Sequence, residues 1–189
     1  MSKIKTSEIY YGWKIVAAIL VLLSFASGLS FYNQAVYLDA LATNPAFTVR
    51  SVSLAVSIFF LSSGIAGLWV AKWVQEFDPR LSIIFGAVIS CGALSSLALV
   101  KEVWQLYLVY AVFGAGFSAS SLIPATTLVT RWFQKNRAIA LSIASTGLSL
   151  GGVIITPISV VIVEAQGLSR AAPIFGILYL IGVILVAWI

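Results

Sequence analysis

Histidine is absent from this 189-residue chain, cysteine occurs once, and charged residues make up only 9% of the sequence. The single cysteine, Cys91, cannot form a disulfide within the chain, and without histidine there is no partner for a Cys–His nucleophile pair or a mixed zinc site. The long apolar stretches also lack the carboxylates and amines that acid–base chemistry needs. We therefore expect a protein that is not an enzyme and that uses no cofactor or metal.

Most residues of this chain are hydrophobic. Hydrophobic residues make up 61% and the mean hydropathy is +1.07, a composition that does not provide a water-facing surface. A helix crosses a bilayer core of about 30 Å with roughly 20 apolar residues. Stretches of that length, nearly free of charge, predict spans over residues 15–38, 51–74, 81–100, 103–130, 138–163 and 171–189. The sequence therefore predicts an all-α membrane protein with six transmembrane helices, the first retained and not cleaved as a signal peptide.

Cations cluster at alternate ends of the predicted spans, as the positive-inside rule expects. Eight fall on the side of the N-terminus: Lys3, Lys5, Lys14, Lys72, Arg80, Arg131, Lys135 and Arg137. Three fall on the other side: Arg50, Lys101 and Arg170. We expect a cytoplasmic N-terminus in a multi-pass protein of the cell membrane, plasma or inner. The net charge of +5 is then a sign of topology and not of nucleic-acid binding.

Small residues recur along one face of the fifth span. They are Ser142, Ser145, Ser149, Gly152 and Thr156, with Gly147 and Gly151 as a GxxxG pair beside them. This spacing lets membrane helices approach closely, and it fits either plain helix packing or a wall that lines a solute path. Two prolines carry local predictions, since Pro79 favours the start of the third helix and Pro124 a kink in the fourth.

Two amides, Asn33 and Gln34, lie near the external end of the first span, between Tyr32 and Tyr37. An amide that faces lipid is costly, so each should find a partner. A cavity inside the protein would satisfy it, and so would the headgroup region, where aromatic side chains also concentrate. The sequence leaves both placements open.

Several motifs together resemble those of the major facilitator superfamily, with the monocarboxylate and oxalate/formate porter-like group as the nearest branch. They are Tyr11-Gly12-Trp13, Gly28-Leu29-Ser30-Phe31-Tyr32, Arg50-Ser51-Val52-Ser53, Arg131-Trp132-Phe133, Arg137-Ala138-Ile139-Ala140-Leu141, Gly147, Gly151-Gly152 and Pro157. The resemblance covers essentially the whole chain and implies the N-terminal six-helix half, built as two inverted three-helix repeats. Because the chain ends at Trp188-Ile189 without a polar tail, we expect a fragment whose C-terminal bundle is absent.

The resemblance also implies roles for individual residues. Spans one and four would line the solute cavity, and the candidate substrate contacts are Tyr32, Asn33, Gln34, Tyr37, Ser118 and Ser121. Spans two and five would face a second bundle. Candidates for gating or inter-bundle packing are Gly67, Arg80, Arg131, Arg137, Ser145, Ser149, Gly147, Gly151 and Gly152.

The sequence departs from the family pattern at three places. Gln75, Glu76 and Asp78 occupy the loop where the family has Asp-Arg and a glycine, and Tyr110 stands where an arginine is often found in the fourth span. The basic residue that some monocarboxylate carriers have in the first span is missing. A bound anion would therefore take its countercharge from the second bundle.

Three functional hypotheses follow from the resemblance. The first is transport of a small organic solute, a monocarboxylate-like anion, by alternating access. The second is a half-transporter that works as a homodimer, and the third a transport-inactive interaction or scaffold fragment. The expected partners are the lipid bilayer, the solute, and either a C-terminal bundle or a second copy of the chain, with no role for nucleic acid.

Overall fold

A computed structural model of the chain describes residues 11–134 and 136–187, and these residues form helices and short connections without a β-strand. The helices are α1 (Tyr11–Ala42), α2 (Val49–Glu76), α3 (Pro79–Leu99), α4 (Val103–Trp132), α5 (Arg137–Gln166) and α6 (Leu168–Ala187). Parts of the sequence predictions rest on Lys3, Lys5, Lys135, Trp188 and Ile189, which lie outside the described residues.

The lengths and compositions of these helices fit a bilayer. Each of α1 to α5 contains an apolar stretch long enough to cross the hydrocarbon core, and α6 contributes a shorter apolar stretch over Leu168–Ile184. α1 and α2 extend beyond the predicted spans. Lys14 and Lys72 lie within them near the cytoplasmic ends predicted for these helices, where a lysine stem can follow the helix while its ammonium reaches the headgroup region. The predicted all-α membrane fold is confirmed.

The first three helices and the last three pack in corresponding ways. α2 lies along α4 as α5 lies along α1, α3 packs on α4 as α6 packs on α1, and α3 and α6 pack on each other. If α1, α2 and α3 exchange places with α4, α5 and α6, the α2–α4 and α3–α4 contacts become the α5–α1 and α6–α1 contacts, and the α3–α6 contact is unchanged. Since every crossing reverses the chain, a second unit of three begins on the opposite side of the membrane from the first. The bundle thus has the two inverted repeats that the sequence predicts.

α1 and α4 form the centre of the bundle. Within the apolar stretch of each helix, 61% of α1 and 56% of α4 is buried, against 22% of α2 and 17% of α5. α2 and α5 instead present large apolar side chains at the surface: Leu61, Ile65, Leu68, Trp69, Val153, Ile154, Ile158 and Val161. Such a surface suits contact with lipid or with another helical bundle. The interior of this bundle is formed mainly by α1 and α4.

Glycine allows two close helix contacts. A Cβ at Gly147 of α5 would collide with the carbonyl oxygen of Leu20 in α1, and a Cβ at Gly114 of α4 would collide with that of Phe59 in α2. The two crossings occupy corresponding places in the two repeats. Backbone-to-backbone approach of this kind supplies van der Waals contact where apolar burial from water cannot drive association.

Candidate functional site

The site begins with an irregular segment in α1. Residues Ser27–Tyr32 form a π-helical turn, and Gly151–Ile155 of α5 form a second one that packs directly against it. Gly28 makes the approach possible, because a Cβ there would lie 2.7 Å from Cβ of Ile155 and 2.8 Å from the carbonyl oxygen of Gly151. In α5, Pro157 cannot donate to the carbonyl of Val153, which favours a local change of hydrogen-bond register. π-helical turns are rare and concentrate at functional sites.

α4 is also interrupted, at Ser121. The residue has φ −111° and ψ −125°, outside the helical region, and a new helical segment begins at Leu122. Pro124 lies three residues further on, so it has no N–H for the carbonyl of Ser120 and its ring crowds that carbonyl. The kink predicted near Pro124 is confirmed.

The π-turn of α1 and the interruption of α4 both line one cavity of about 310 Å³, here called the α1–α4 cavity. Its lining residues are Ser27, Phe31, Tyr32, Phe117, Ser121, Leu122 and Leu148. Five of these seven belong to the π-turn of α1 or to the interruption of α4. None of the described residues that line it is charged. Discontinuous helices that surround a cavity at membrane depth are the usual construction of a transporter binding site.

A second depression, the α2–α4 groove, has a volume of about 440 Å³. Its lining residues are Ser63, Gly64, Gly67, Leu68, Ala71, Phe117, Ser118, Ser121, Leu122 and Ile123. It shares Phe117, Ser121 and Leu122 with the α1–α4 cavity, so the interruption of α4 forms a wall of both.

The predicted substrate contacts divide into two groups. Tyr32 and Ser121 line the α1–α4 cavity, and Ser118 lines the α2–α4 groove. Asn33, Gln34 and Tyr37 lie buried inside the bundle and line neither. The rotation of α1 turns both amide side chains inward, so each is enclosed by protein and not by lipid. Direct contact of these residues with a solute stays a prediction.

The buried residues of α1 tie that helix to α5 and to itself. Asn33 Nδ2 donates to Ser159 Oγ at 2.8 Å, and the hydroxyl of Tyr37 donates to the carbonyl of Leu29 at 2.8 Å. Ser27 Oγ, on the other side of the π-turn, donates to the carbonyl of Leu148 at 2.8 Å. Both amide atoms of Gln34 are buried and have no hydrogen-bond partner among the described residues. The π-turn is thus held at both ends by polar contacts to α5.

A hydroxyl pair joins α4 to α6 just before the interruption. Ser120 Oγ donates to the carbonyl of Gly116 at 2.9 Å and lies 2.7 Å from the hydroxyl of Tyr179, so the Tyr179 hydroxyl is the donor between the two. Ser82 of α3 donates to the carbonyl of Ala119 at 2.8 Å. The last turn of α4 before Ser121 is therefore fixed to both α3 and α6.

The predicted gating cations lie at one end of the bundle. Arg131 Nη2 donates to the carbonyl of Val74 at 2.8 Å and ties the end of α4 to the end of α2. Asp78 accepts from the backbone N–H of Arg80 at 3.0 Å and caps α3, where Pro79 occupies the first turn as predicted. Arg137 is exposed at the start of α5. Their gating role stays a prediction.

The small residues predicted for inter-bundle packing also divide. Gly147 and Gly151 face α1 within the bundle, where added Cβ atoms would meet backbone atoms of Leu20 and Ser24. Gly152 lies against the ring of Tyr32, Ser145 is half-buried, and Ser149 is exposed. Gly67 lines the α2–α4 groove. The glycine pair therefore makes an internal contact, whereas the role of the serines at a second bundle stays a prediction.

Sequence reasoning missed most of the cavity wall. Phe31, Phe117, Leu122 and Leu148 line the α1–α4 cavity, but apolar residues in a transmembrane sequence look alike whether they face lipid, protein or a cavity. The one usable signal was the position of Phe31 beside Tyr32 in the recognised motif.

Comparison with known proteins identifies the family of this chain and several relatives. The family described as the Major Facilitator Superfamily matches residues 20–189. An oxalate:formate antiporter of Oxalobacter formigenes is 23% identical over 94% of this chain and 42% of its own length. Monocarboxylate transporter 9 of Mus musculus is 29% identical over 90% of this chain and 33% of its own. An agnestins efflux protein of Paecilomyces divaricatus is 43% identical over 42% of this chain and 18% of its own. The chain spans less than half the length of these relatives.

Proposed function

The chain belongs to the major facilitator superfamily, and from this premise we propose that it forms one wall of a pathway that carries a small organic solute, a monocarboxylate-like anion, across the membrane by alternating access. The observation that carries the proposal is the α1–α4 cavity. Its wall consists mainly of the π-turn of α1 and the interruption of α4, two places where the helices depart from regular α-helical hydrogen bonding. The names of two relatives, the oxalate:formate antiporter and monocarboxylate transporter 9, support a carboxylate solute.

The cavity is open on one side, and this supports the proposal that a second protein wall lies opposite. Phe31 is 47% exposed, Tyr32 39% and Leu122 41%, although all three line a cavity at the bundle surface. A second six-helix bundle would cover them, and a second copy of the chain is the alternative. The anion would take its countercharge from that opposite wall, because the described lining residues here are uncharged. The excess of cations on the side of the N-terminus supports a cytoplasmic N-terminus.

The test is uptake into vesicles by the native protein, wild type against two tryptophan variants. Leu122→Trp fills the α1–α4 cavity and should reduce uptake of a transported carboxylate at least tenfold. Leu178→Trp is the matched control, since Leu178 of α6 is similarly exposed at 38% and lines neither the α1–α4 cavity nor the α2–α4 groove; its uptake should match wild type.

Lactate, acetate, benzoate and oxalate serve as anionic solutes, with glucose and leucine as non-anionic ones. Uptake of none of these solutes, together with no solute-dependent rise in melting temperature, would contradict the proposal and favour the scaffold hypothesis. Equal loss of uptake in both variants would also count against this cavity. The mass of the native complex then distinguishes a second bundle from a second copy.

A further inference from the structure

The chemistry of the α1–α4 cavity limits what it can bind. Its wall consists of Phe31, Tyr32, Phe117, Leu122 and Leu148 with Ser27 and Ser121, so the only polar side-chain groups in the described lining are three hydroxyls, those of Tyr32, Ser27 and Ser121. Ser27 already donates its proton to the carbonyl of Leu148, and Ser121 is only 3% exposed. A carboxylate placed against this wall would lose water and gain at most two neutral donors, the hydroxyls of Tyr32 and Ser121, and no cation, which is unfavourable.

The same wall is well suited to an apolar group. Phe31 and Tyr32 meet edge to face with ring centroids 5.2 Å apart, and Phe31 meets Phe60 of α2 in the same way at 5.5 Å. Gly152 brings the backbone of α5 against the ring of Tyr32. These contacts place the rings next to each other as one aromatic surface. Such a surface favours stacking of a ring or packing of a branched chain.

The size of the cavity points in the same direction. A volume of about 310 Å³ in this wall alone is comparable to the lower limit of roughly 300 Å³ for sites that enclose drug-sized ligands. A two-carbon dianion would leave most of that volume empty or filled with water beside aromatic rings. An aromatic or branched solute would fill it.

We propose that this wall recognises the hydrocarbon body of its solute and that the solute is an amphipathic monocarboxylate with an aromatic ring or a branched aliphatic chain, oriented with its carboxylate away from the wall. The proposal rests on the proposed transport function and specifies the solute of the same cavity. It excludes small dianions such as oxalate as the preferred ligand.

The first test is a ligand series on the native protein, with dissociation constants taken from ligand-dependent thermal stabilisation. Acetate, butyrate, isovalerate and phenylacetate differ only in their hydrocarbon body, and oxalate and malonate are the dianions. Burial of hydrocarbon should tighten binding about fourfold for each fully buried methylene, so phenylacetate should bind at least tenfold more tightly than acetate or oxalate. Oxalate binding as tightly as phenylacetate would overturn the proposal.

The second test removes part of the aromatic surface. Phe31→Ala should weaken phenylacetate at least fivefold and acetate less than twofold. Phe85→Ala is the matched control, because Phe85 is 53% exposed on α3 against 47% for Phe31 and packs on Trp73 and not on the cavity. Equal weakening of both ligands in Phe31→Ala would contradict recognition of the body. Leu122→Asn, at an exposed position of the same wall, should show the same selective loss if Phe31→Ala does not yield folded protein.

The outcomes separate this proposal from the transport proposal. If oxalate is bound as tightly as phenylacetate and is taken up, and Leu122→Trp blocks that uptake, the transport function stands and recognition of a hydrocarbon body is wrong. If no carboxylate is bound or taken up, both proposals fall.

Discussion

α1 and α4 occupy corresponding positions in the two repeats, and both depart from α-helical geometry where they meet the α1–α4 cavity. They do so by different means. α1 widens into the π-turn Ser27–Tyr32 without a proline, whereas α4 breaks at Ser121 ahead of Pro124. The irregularity of α4 follows from its own sequence, since proline removes a donor. That of α1 depends on a partner, because Gly28 and Gly151 must meet for the two π-turns to pack.

The two helices also differ in what holds them. α1 is bonded to α5 on both sides of its π-turn, through Ser27 and Asn33. α4 is bonded to α6 before its interruption, through Ser120, and to α2 after it, through Arg131. α1 and α5, here called the α1–α5 unit, are therefore joined on both sides of the π-turn, while the polar bonds of the two parts of α4 go to different helices, although α2 and α3 pack against both parts. Three substitutions test this contrast, in order of decreasing expected effect.

Gly151→Leu should break the α1–α5 unit. A side chain there would overlap the carbonyl oxygen of Ser24 and the hydroxyl of Ser27, and overpacking of a tight contact costs 1–3 kcal/mol or more. We expect destabilisation by about 3 kcal/mol or more, seen as loss of monodisperse protein in detergent and a lower melting temperature. Gly92→Leu on α3 is the control, because a Cβ there has open space among the described atoms. A wild-type melting temperature for Gly151→Leu would mean that the paired π-turns are not required.

Asn33→Leu should weaken the same unit by less. It removes the bond to Ser159, which keeps its own bond to the carbonyl of Ile155, so the cost should be about 1 kcal/mol in free energy of unfolding. Gln34→Met is the comparison, since it replaces a buried amide without a partner among the described residues and should be neutral or stabilising. Thermal unfolding of both variants measures the two changes in stability. A greater loss in Gln34→Met than in Asn33→Leu would show that the Gln34 amide is the more important contact.

Pro124→Ala should act on the joint in α4 and leave the α1–α5 unit intact. Restoring the N–H offers the carbonyl of Ser120 a donor, so stability should change little or rise by about 1 kcal/mol, while the rate of uptake falls because α4 straightens. Pro173→Ala in α6 is the control, as a second proline inside a helix, and should leave uptake unchanged. Normal uptake by Pro124→Ala would show that the proline in α4 is not required for transport.

The architecture could be predicted from sequence because the bilayer permits so few solutions. Charge-free stretches of sufficient length must be helices there, and six of them arranged as two repeats account for the packing. Pro79 and Pro124 marked a helix start and an interruption correctly, since proline acts through its own backbone. The family to which the chain belongs was recognisable from the motif around Arg131 and the glycines of α5.

The site was less predictable, because its features depend on neighbours distant in sequence. The π-turn of α1 needs Gly151, more than a hundred residues away, and nothing in Ser27–Tyr32 alone distinguishes it from an ordinary helical turn. The sequence leaves either a cavity or the headgroup region open for Asn33 and Gln34, whereas the register of α1 turns both into the bundle. Leu122 and Leu148 have no polar atoms in their side chains by which sequence could separate a cavity wall from a lipid-facing one.

The interruption at Ser121 gives the second part of α4 the geometry of a lever. That segment, Leu122–Trp132, has 11 residues, so at 1.5 Å per residue it is about 16 Å long. A tilt of about 10° at the joint would displace its far end by about 3 Å. Arg131 at that end is bonded to the carbonyl of Val74 in the last turns of α2. A small rotation of α4 beside the cavity would therefore produce a larger displacement at the C-terminal end of α2.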